Sequence, residues 1–244
     1  MRSTNPIFLK SPLILQTAIW PATRFFFWFF MHLKVVGLEN LKDLPKGVIF
    51  ASNHTGELDP IIVPASLPFL SRFSPTFYVS RPREFYNNSG WRQIFYGGLF
   101  FKLWGSHSAI SGYKDYGVSL SNHIHIIQRR HSLIIYPEGL TTKTGEVMVD
   151  EAHGGVAFLA EKTGLPIVPV YIGGHYKITL KDYLLRRRHV SIVFGRPIYS
   201  KELFGNEILV GNRYKSAARK VLGEVAALGK KLKNLSESEY KTVS

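Results

Sequence analysis

A short apolar run, Gly47-Val48-Ile49-Phe50-Ala51, leads through Ser52 into the polar turn Asn53-His54-Thr55-Gly56-Glu57-Leu58-Asp59-Pro60. The apolar residues Ile61-Ile62-Val63 follow the turn. A β-rich run, a glycine-containing turn and an Asp-Pro pair predict a buried strand, a loop and the start of a helix. The polar side chains of the turn are therefore expected at the carboxyl end of a strand, where open α/β sheets usually bind ligands.

His54 is the side chain of this turn best suited to proton transfer, because an unperturbed imidazole titrates close to neutral pH. Asp59 is a candidate to orient it. On one continuous helix the two side chains would point about 140° apart, so the turn must bring them together. Gly56 permits the backbone angles that such a turn requires, and Pro60 disfavours helical angles at Asp59 while suiting the first helical position. An alternative interpretation makes Asp59 an N-cap and His54 an ordinary loop histidine.

The composition is that of a folded and strongly basic protein. The 244 residues include 45% hydrophobic and 20% charged side chains, which is enough for a core and argues against wholesale disorder. The 31 lysines and arginines exceed the 17 aspartates and glutamates by 14, so the chain should attract nucleic acid, phosphorylated small molecules or an anionic bilayer. The absence of cysteine excludes a thiol nucleophile and a disulfide framework, and fits a reducing cytosolic side.

An apolar block near the start predicts contact with a membrane. It comprises Pro12 to Trp20 and the run Phe25-Phe26-Phe27-Trp28-Phe29-Phe30-Met31, interrupted by Pro21 and Arg24. Neither half supplies the roughly 20 apolar residues of a membrane-spanning helix. We therefore expect two short amphipathic helices within residues 1–33 that lie in the interface, peripheral or monotopic on the cytoplasmic face. A core hairpin of a soluble domain is the alternative.

The rest of the chain alternates predicted strands and helices. Strands are expected at Val35–Leu41, Gly47–Ala51, Thr76–Val79, Ser132–Tyr136, Leu165–Ile172 and His189–Phe194, and helices at Trp91–Trp104, Tyr113–Arg130, Glu151–Lys162 and Arg213–Leu232. The alternation predicts an α/β fold with a central, mostly parallel sheet flanked by helices. Two prolines in Leu165–Ile172 indicate an edge strand or a distorted one.

A second polar cluster follows the predicted strand Ser132–Tyr136. It reads Pro137-Glu138-Gly139-Leu140-Thr141-Thr142-Lys143. Because the carboxyl ends of parallel strands gather at one edge, Glu138 and His54 are expected to face the same cleft.

Three further histidines, His123, His125 and His131, lie in or just beyond the predicted helix Tyr113–Arg130. No carboxylate or cysteine joins them at the spacing of metal ligands. We interpret them as surface or boundary residues, and we predict no metal site.

Three sequence blocks occur in a distinctive order. They are Asn53-His54 with Asp59 after four intervening residues, then Tyr136-Pro137-Glu138-Gly139, and then Ile167-Val168-Pro169-Val170. In this order they resemble the glycerolipid acyltransferase family, whose usual members are bacterial 1-acylglycerol-3-phosphate acyltransferases. The similarity extends over roughly Val48 to Ile172.

The resemblance implies transfer of a fatty acyl group from a thioester, acyl-CoA or acyl carrier protein, to a lipid hydroxyl without a metal or other cofactor. It assigns His54 as the general base and Asp59 as its partner. Residues 34–205 would form the catalytic domain, and residues 206–244 a basic helix with a flexible tail. Membrane lipids and the acyl donor are the expected partners, and nucleic acid is not.

The resemblance also assigns Glu138 and Gly139 to acceptor binding or to the architecture of the active site. Thr141 and Lys143 complete the predicted substrate-binding set. The family pattern normally has one arginine for the acceptor phosphate in its second block and another in its third. This chain has none in Gly105–Ser111 or in Glu138-Gly139-Leu140-Thr141.

Lysines offer a partial replacement for these arginines. Lys102, Lys114 or Lys143 could act as point charges, although lysine lacks the bidentate fork that suits phosphate. The acceptor therefore stays open between a lysophospholipid such as 1-acylglycerol-3-phosphate and a lipid alcohol without glycerol 3-phosphate. A non-catalytic lipid-binding member of the family is a further alternative. A nucleic-acid-binding protein is favoured only by the charge, since no recognition motif is present.

Overall fold

The computed structural model describes residues 6–81, 99–110, 113, 115–204 and 213–243. Within these residues the centre of the fold is one seven-stranded sheet. Its strands are β1 (Lys34–Val36), β2 (Ile49–Ser52), β3 (Thr76–Ser80), β4 (Ser106–Ser108), β5 (Ser132–Ile135), β6 (Ile167–Gly173) and β7 (Ser191–Phe194). Their order across the sheet is β1-β7-β6-β2-β5-β3-β4.

The sheet is mostly parallel, which confirms the predicted fold class. Strands β6, β2, β5, β3 and β4 run in one direction. Strand β7 pairs antiparallel with β6 and parallel with β1. Since β6, β2 and β5 are neighbours, the residues that follow these three strands lie at one edge of the sheet.

Helices cover both faces of the sheet. They are α1 (Pro6–Met31), α2 (Asp59–Ser66), α3 (Leu99–Trp104), α4 (Tyr116–Ser119), α5 (Ser121–Gln128), α6 (Gly155–Thr163), α7 (Leu180–Leu184), α8 (Ser200–Phe204) and α9 (Arg213–Val243). Side chains of strand β2 pack against helices on both faces of the sheet. Ile49 and Ala51 pack with residues of α5, α6 and α9, whereas Phe50 packs with residues of α1 and α2. Successive side chains of a strand point to opposite faces, so a strand this apolar needs helices on both sides.

The apolar N-terminal block forms one helix, so the prediction of two short helices is wrong. Helix α1 is 26 residues long and contains Pro12 and Pro21. A proline inside a helix removes one backbone hydrogen bond, and here packing against α2 and α3 holds the helix together. Phe27 and Met31 are buried in the core, so this block is partly a core element. Within the described residues, no helix is long and apolar enough to cross a membrane.

Several predicted elements have different limits. Strand β1 is three residues long, because Gly37 takes a φ of 83° and a 3-10 turn, Leu38–Leu41, follows. The predicted helix Tyr113–Arg130 is divided into α4 and α5 at Leu120. The predicted helix Trp91–Trp104 is described only as α3, since its first part lies outside the described residues.

The predicted limits of two later helices also differ from the observed ones. Helix α6 begins at Gly155, after the 3-10 turn Val149–Glu151, and ends before Gly164, which has a φ of 69°. Helix α9 continues to Val243, so the segment predicted to be a flexible tail is helical.

Strand β6 is central, so its predicted place at a sheet edge is wrong. It pairs with β2 on one side and with β7 on the other. The pairing with β7 begins at Val170, one residue after Pro169, whose carbonyl accepts a hydrogen bond from the N–H of Gly195 at 2.8 Å. The missing N–H of Pro169 is thus tolerated because it lies where this ladder starts.

His123 is fully buried, which corrects its assignment to the surface. Its Nε2 donates a hydrogen bond to the carbonyl of His107 at 2.9 Å. Burial lowers the pKa of His123 to about 4, so the side chain is neutral at physiological pH. His125 is exposed and His131 is partly buried, as expected.

A buried glutamine joins α1 to the sheet. Nε2 of Gln16 donates to the carbonyls of Thr76 and Trp104, both at 2.8 Å. Its Oε1 accepts the N–H of Thr76 at 3.0 Å. One side chain therefore satisfies the polar backbone groups at the start of β3.

We predict that Gln16→Leu lowers the free energy of unfolding by about 2–4 kcal/mol, because it leaves buried backbone groups without partners. Urea unfolding followed by tryptophan fluorescence measures this change. Gln128→Leu is the matched control, since Gln128 is exposed at the end of α5. Equal stability of the two variants would contradict the role assigned to Gln16.

Candidate active site

Asn53 ties the turn after β2 to strand β6. Its buried Nδ2 donates to the carbonyl of Ile172 at 2.9 Å. The N–H of Ile172 donates back to Oδ1 of Asn53 at 2.8 Å. These two bonds continue the strand pairing beyond the end of β2 and fix the backbone from which the next side chain projects.

The turn brings His54 and Asp59 together. Nδ1 of His54 lies 2.7 Å from Oδ2 of Asp59. Because a carboxylate accepts, the imidazole carries a hydrogen on Nδ1 and its lone pair on Nε2. The side chain of His54 is 23% exposed, and that of Asp59 is fully buried. Among the described residues, Nδ1 makes the hydrogen bond of this ring, so the lone pair of Nε2 is available on a partly exposed side chain.

Asp59 holds the turn that precedes it. Its Oδ2 accepts the N–H of Thr55 at 2.8 Å and the N–H of Gly56 at 3.1 Å. Asp59 is the first residue of α2, and Leu58 occupies the N-cap position. The N-cap interpretation of Asp59 is therefore wrong. The carboxylate points back to the turn and not forward along the helix.

His175 is a second histidine on Asp59, and the sequence interpretation did not single it out. Nε2 of His175 lies 2.5 Å from Oδ1 of Asp59. The residue follows β6, just as His54 follows β2 and Glu138 follows β5. The rule that polar residues at strand ends form sites, applied to β6, would have found it.

Both imidazoles act on the charge of Asp59. Burial opposes ionisation of the carboxyl, but the hydrogen bonds from His175 and His54 outweigh it and hold the pKa of Asp59 well below its ordinary value. Asp59 is therefore an anion at neutral pH. Each of its oxygens faces one imidazole.

Gly56 provides space and not an unusual backbone conformation. Its φ lies outside the left-handed range, so the turn does not use the left-handed angles that Gly56 permits. A Cβ at Gly56 would lie 3.3 Å from Cδ2 of His175. The glycine leaves room for the second imidazole.

Glu138 shapes the site from inside the protein. Its side chain is only 2% exposed. Oε2 accepts the N–H of His54 at 3.2 Å, and Oε1 accepts the N–H of Met148 at 3.1 Å. Burial raises the pKa of Glu138. Of the two roles that the resemblance allowed, these contacts favour active-site architecture over direct contact with an acceptor.

The other predicted binding residues lie in the loop after β5. Gly139 has a φ of 72°, and a Cβ there would lie 2.5 Å from Cδ2 of His153. The carbonyl of Gly139 accepts hydrogen bonds from Nε and Nη2 of Arg81, at 3.1 and 2.9 Å. Thr141 and Lys143 are exposed in the same loop.

Two more contacts of His54 were not predicted. The N–H of Thr142 donates to the carbonyl of His54 at 2.7 Å, which joins the loop after β5 to the turn after β2. The ring of Tyr136 stacks on the His54 ring, with centroids 4.3 Å apart and an 18° angle between the planes. His54 is thus held through its backbone, through the hydrogen bond at Nδ1 and by stacking on one face of its ring.

The lysines proposed as replacements for the missing arginines are dispersed. Lys102 is exposed on α3, and Lys143 is exposed in the loop after β5. Lys114 lies outside the described residues. Arg81 is a cation that contacts this loop directly at Gly139.

Comparison with known proteins places this fold and site in context. The 1-acyl-sn-glycerophosphate (LPA) acyltransferase PlsC from Thermotoga maritima has the same fold, with a TM-score of 0.58 and 21% sequence identity over 91% of this chain and 79% of that chain. The 1-acyl-sn-glycerol-3-phosphate acyltransferase BAT2, chloroplastic, of Brassica napus is 25% identical over 176 residues, which are 71% of this chain and 47% of that protein. The chain thus spans about half the length of this curated relative.

The fold is that of an α/β protein of the PlsC type. The family model described as Acyltransferase matches residues 32–173, which are more than half of the chain. The chain belongs to the Acyltransferase family, and the resemblance seen in the three sequence blocks is confirmed.

We predict that Asp59→Asn lowers the free energy of unfolding by about 3–5 kcal/mol near neutral pH, because it removes the charge that two imidazoles and two backbone N–H groups surround. Asp59 has a lower pKa in the folded protein than in the unfolded chain, so its ionisation stabilises the fold at pH values above the unfolded-state pKa. This stabilisation is lost as the pH falls through the folded-state pKa. The difference from wild type should therefore shrink from about pH 5 to about pH 3.

Urea unfolding at these pH values measures the difference. Asp150→Asn is the control, because Asp150 is exposed. A stability difference between Asp59→Asn and wild type that stays constant down to about pH 3 would contradict a lowered pKa of Asp59.

Proposed function

We propose that this chain is an O-acyltransferase that moves a fatty acyl group from a thioester, acyl-CoA or acyl carrier protein, to the hydroxyl of a lysophospholipid such as 1-acylglycerol-3-phosphate. The observation that carries the proposal is the His54–Asp59 pair, with Nδ1 held at 2.7 Å and the lone pair of Nε2 available on a partly exposed side chain. The names of the relatives from Brassica napus and Thermotoga maritima support the choice of acceptor.

The chemistry follows from the two nitrogens of His54. Nε2 removes the proton of the acceptor hydroxyl as its oxygen attacks the thioester carbonyl carbon. Asp59 stabilises the imidazolium that forms and keeps the ring in the required tautomer. Collapse of the tetrahedral intermediate breaks the carbon–sulfur bond, and the imidazolium returns its proton to the departing thiolate. No acyl-enzyme is required, because both substrates are held together at the base.

Arg81 and Lys143 can supply positive charge for an acceptor phosphate at this edge of the sheet. Arg81 reaches the loop after β5 through the carbonyl of Gly139, and Lys143 is exposed in that loop. We propose that these side chains serve the phosphate in place of the arginines missing from the family pattern. The same absence favours a second candidate function, which is acylation of a lipid alcohol without glycerol 3-phosphate.

We predict that purified protein acylates lysophosphatidate when supplied with acyl-CoA or acyl carrier protein, and that His54→Ala lowers the rate about 10²- to 10⁴-fold through loss of the general base. Mass spectrometry of products from a panel of lyso-lipids and neutral lipid alcohols measures both. His125→Ala is the matched control, because His125 is an exposed histidine on α5.

Transfer to neutral alcohols alone would favour the second candidate. Unchanged transfer by His54→Ala would remove the proposed base. A protein that binds these lipids and transfers no acyl group would be the non-catalytic member of the family.

Helix α1 supports membrane association through its outward face. At 3.6 residues per turn, Ile7, Ile14 and Phe25 project within about 20° of one another. These three side chains and Trp28 are 55–67% exposed. The opposite face carries Gln16, Phe27 and Met31, which are buried. One face of α1 packs on the protein core, and the opposite face is apolar but exposed. We propose that the exposed face lies in the bilayer interface.

Helix α7 and Leu185, which follows it, extend the exposed apolar surface of α1. Leu180, Leu184 and Leu185 are 55–73% exposed. The Arg186 guanidinium lies 4.3 Å from the centre of the Phe29 ring, and its Nε donates to the carbonyl of Phe29 at 2.9 Å. This contact joins α7 to α1 and places basic side chains beside exposed leucines. We propose that this surface contacts the anionic lipids of a cytoplasmic leaflet.

We predict that the double variant Phe25→Ser/Trp28→Ser reduces co-sedimentation with anionic vesicles severalfold without loss of folding, because both side chains point away from the core. Deletion of residues 1–33 would not test this, since it removes Phe27 and Met31 from the core. Leu235→Ser on α9, where Leu235 is 52% exposed, is the control for loss of an exposed apolar side chain. Vesicle binding equal to wild type would contradict the proposed surface.

A further inference from the structure

His175 is a buried histidine just beyond the end of β6. It follows Gly174, and its side chain is 1% exposed. Gly174 has a φ of 91°, and a Cβ there would lie 2.0 Å from the carbonyl oxygen of His189. The backbone at this point is therefore restricted to glycine, which fixes the direction in which His175 enters the site.

Among the described residues, every polar contact of the His175 ring is made by Nε2. It lies 2.5 Å from Oδ1 of Asp59 and 3.0 Å from Oγ1 of Thr55. Since Asp59 is an anion, its oxygen accepts and Nε2 of His175 carries the hydrogen. Asp59 thus receives His54 on Oδ2 and His175 on Oδ1.

The other nitrogen argues against a purely structural role. Nδ1 of His175 is buried and has no hydrogen-bond partner within the described residues. A buried polar atom without a partner destabilises the folded state, whereas an apolar side chain of similar volume would fill the space without that cost. The benefit of histidine here must come from what Nε2 does to Asp59.

We propose that His175 is a positioning residue for the reaction, which fixes Oδ1 of Asp59 so that Oδ2 stays on Nδ1 of His54. This inference rests on the proposed acyltransferase function. A carboxylate can rotate about its terminal torsion, which has broad minima. The backbone N–H groups of Thr55 and Gly56 bind only Oδ2. Oδ1 is bound by Nε2 of His175 at 2.5 Å and, at 3.4 Å, by the hydroxyl of Thr55. The shorter bond, from a ring fixed in the core, sets the plane of the carboxylate relative to the His54 ring.

The test compares two substitutions at the same position. Glutamine places an amide N–H near the location of Nε2, and leucine keeps the volume without a donor. We expect His175→Leu to lower kcat about 10- to 100-fold, the effect of losing one hydrogen bond to a charged group, with little change in KM for either substrate. His175→Gln should recover kcat to within about threefold of wild type.

His123→Leu is the matched control, because His123 is also a buried histidine that donates a hydrogen bond through Nε2, but it lies on α5 and donates to the backbone of His107. It should lose stability and keep its kcat. A spectroscopic readout separates positioning from general damage. The low-field proton NMR signal of the His54–Asp59 hydrogen bond should persist in His123→Leu and His175→Gln and disappear in His175→Leu.

Gly56→Ala supplies a second variant if His175→Leu does not fold. The new Cβ would lie 3.3 Å from Cδ2 of His175, which displaces the ring without removing any hydrogen-bonding group. A severalfold fall in kcat is expected. A kcat within twofold of wild type for His175→Leu or Gly56→Ala, or a glutamine variant no better than the leucine variant, would overturn the inference.

These results are distinct from failure of the proposed function. If the wild-type protein transfers no acyl group to any acceptor, the proposed function fails. If wild type is active and His54→Ala is not, while His175→Leu has normal kcat, only the role of His175 fails.

Discussion

The site depends on one buried carboxylate. Removing a charge from water costs several kcal/mol, and such a charge persists only where donors surround it. Asp59 has such donors in both histidines and in the backbone N–H groups of Thr55 and Gly56. The same bonds that keep the carboxyl ionised also shape the turn and set the tautomer of His54. Local structure, electrostatics and reactivity therefore share one cause.

The order of the strands brings the parts of the site together. Strands β6, β2 and β5 are neighbours, and each is followed by one side chain of the candidate site, His175, His54 or Glu138. Asn53 ties the end of β2 to β6, and Glu138 ties the loop after β5 to the backbone of His54. The rigid sheet thus positions the imidazole through backbone contacts on both sides. Residues on rigid elements are held more accurately than residues on free loops.

Helix α1 combines a role in the core with the membrane contact that we propose for its outward face. Gln16, Phe27 and Met31 make one face part of the core, and Gln16 satisfies the backbone where β3 begins. The other face is also apolar but exposed. Because α1 packs against the sheet, contact of its exposed face with a bilayer would hold the candidate site at a constant distance from the membrane surface. A lipid hydroxyl could then reach the site without leaving the interface completely.

The sequence by itself determined the class of fold, the strand–turn–helix unit around residues 49–66 and the meeting of His54 with Asp59. The class of fold followed from the alternation of strands and helices along the chain. The strand–turn–helix unit and the contact of His54 with Asp59 are local, because the two residues are five positions apart and one turn contains all the groups involved. It did not predict the contact of His175 with Asp59, which joins residues 116 positions apart, or the burial of His123 and Glu138. Only the tertiary structure decided these, because strand order determines which distant turns meet. The apolar pattern specifies that a strand is buried but not which strands are its neighbours.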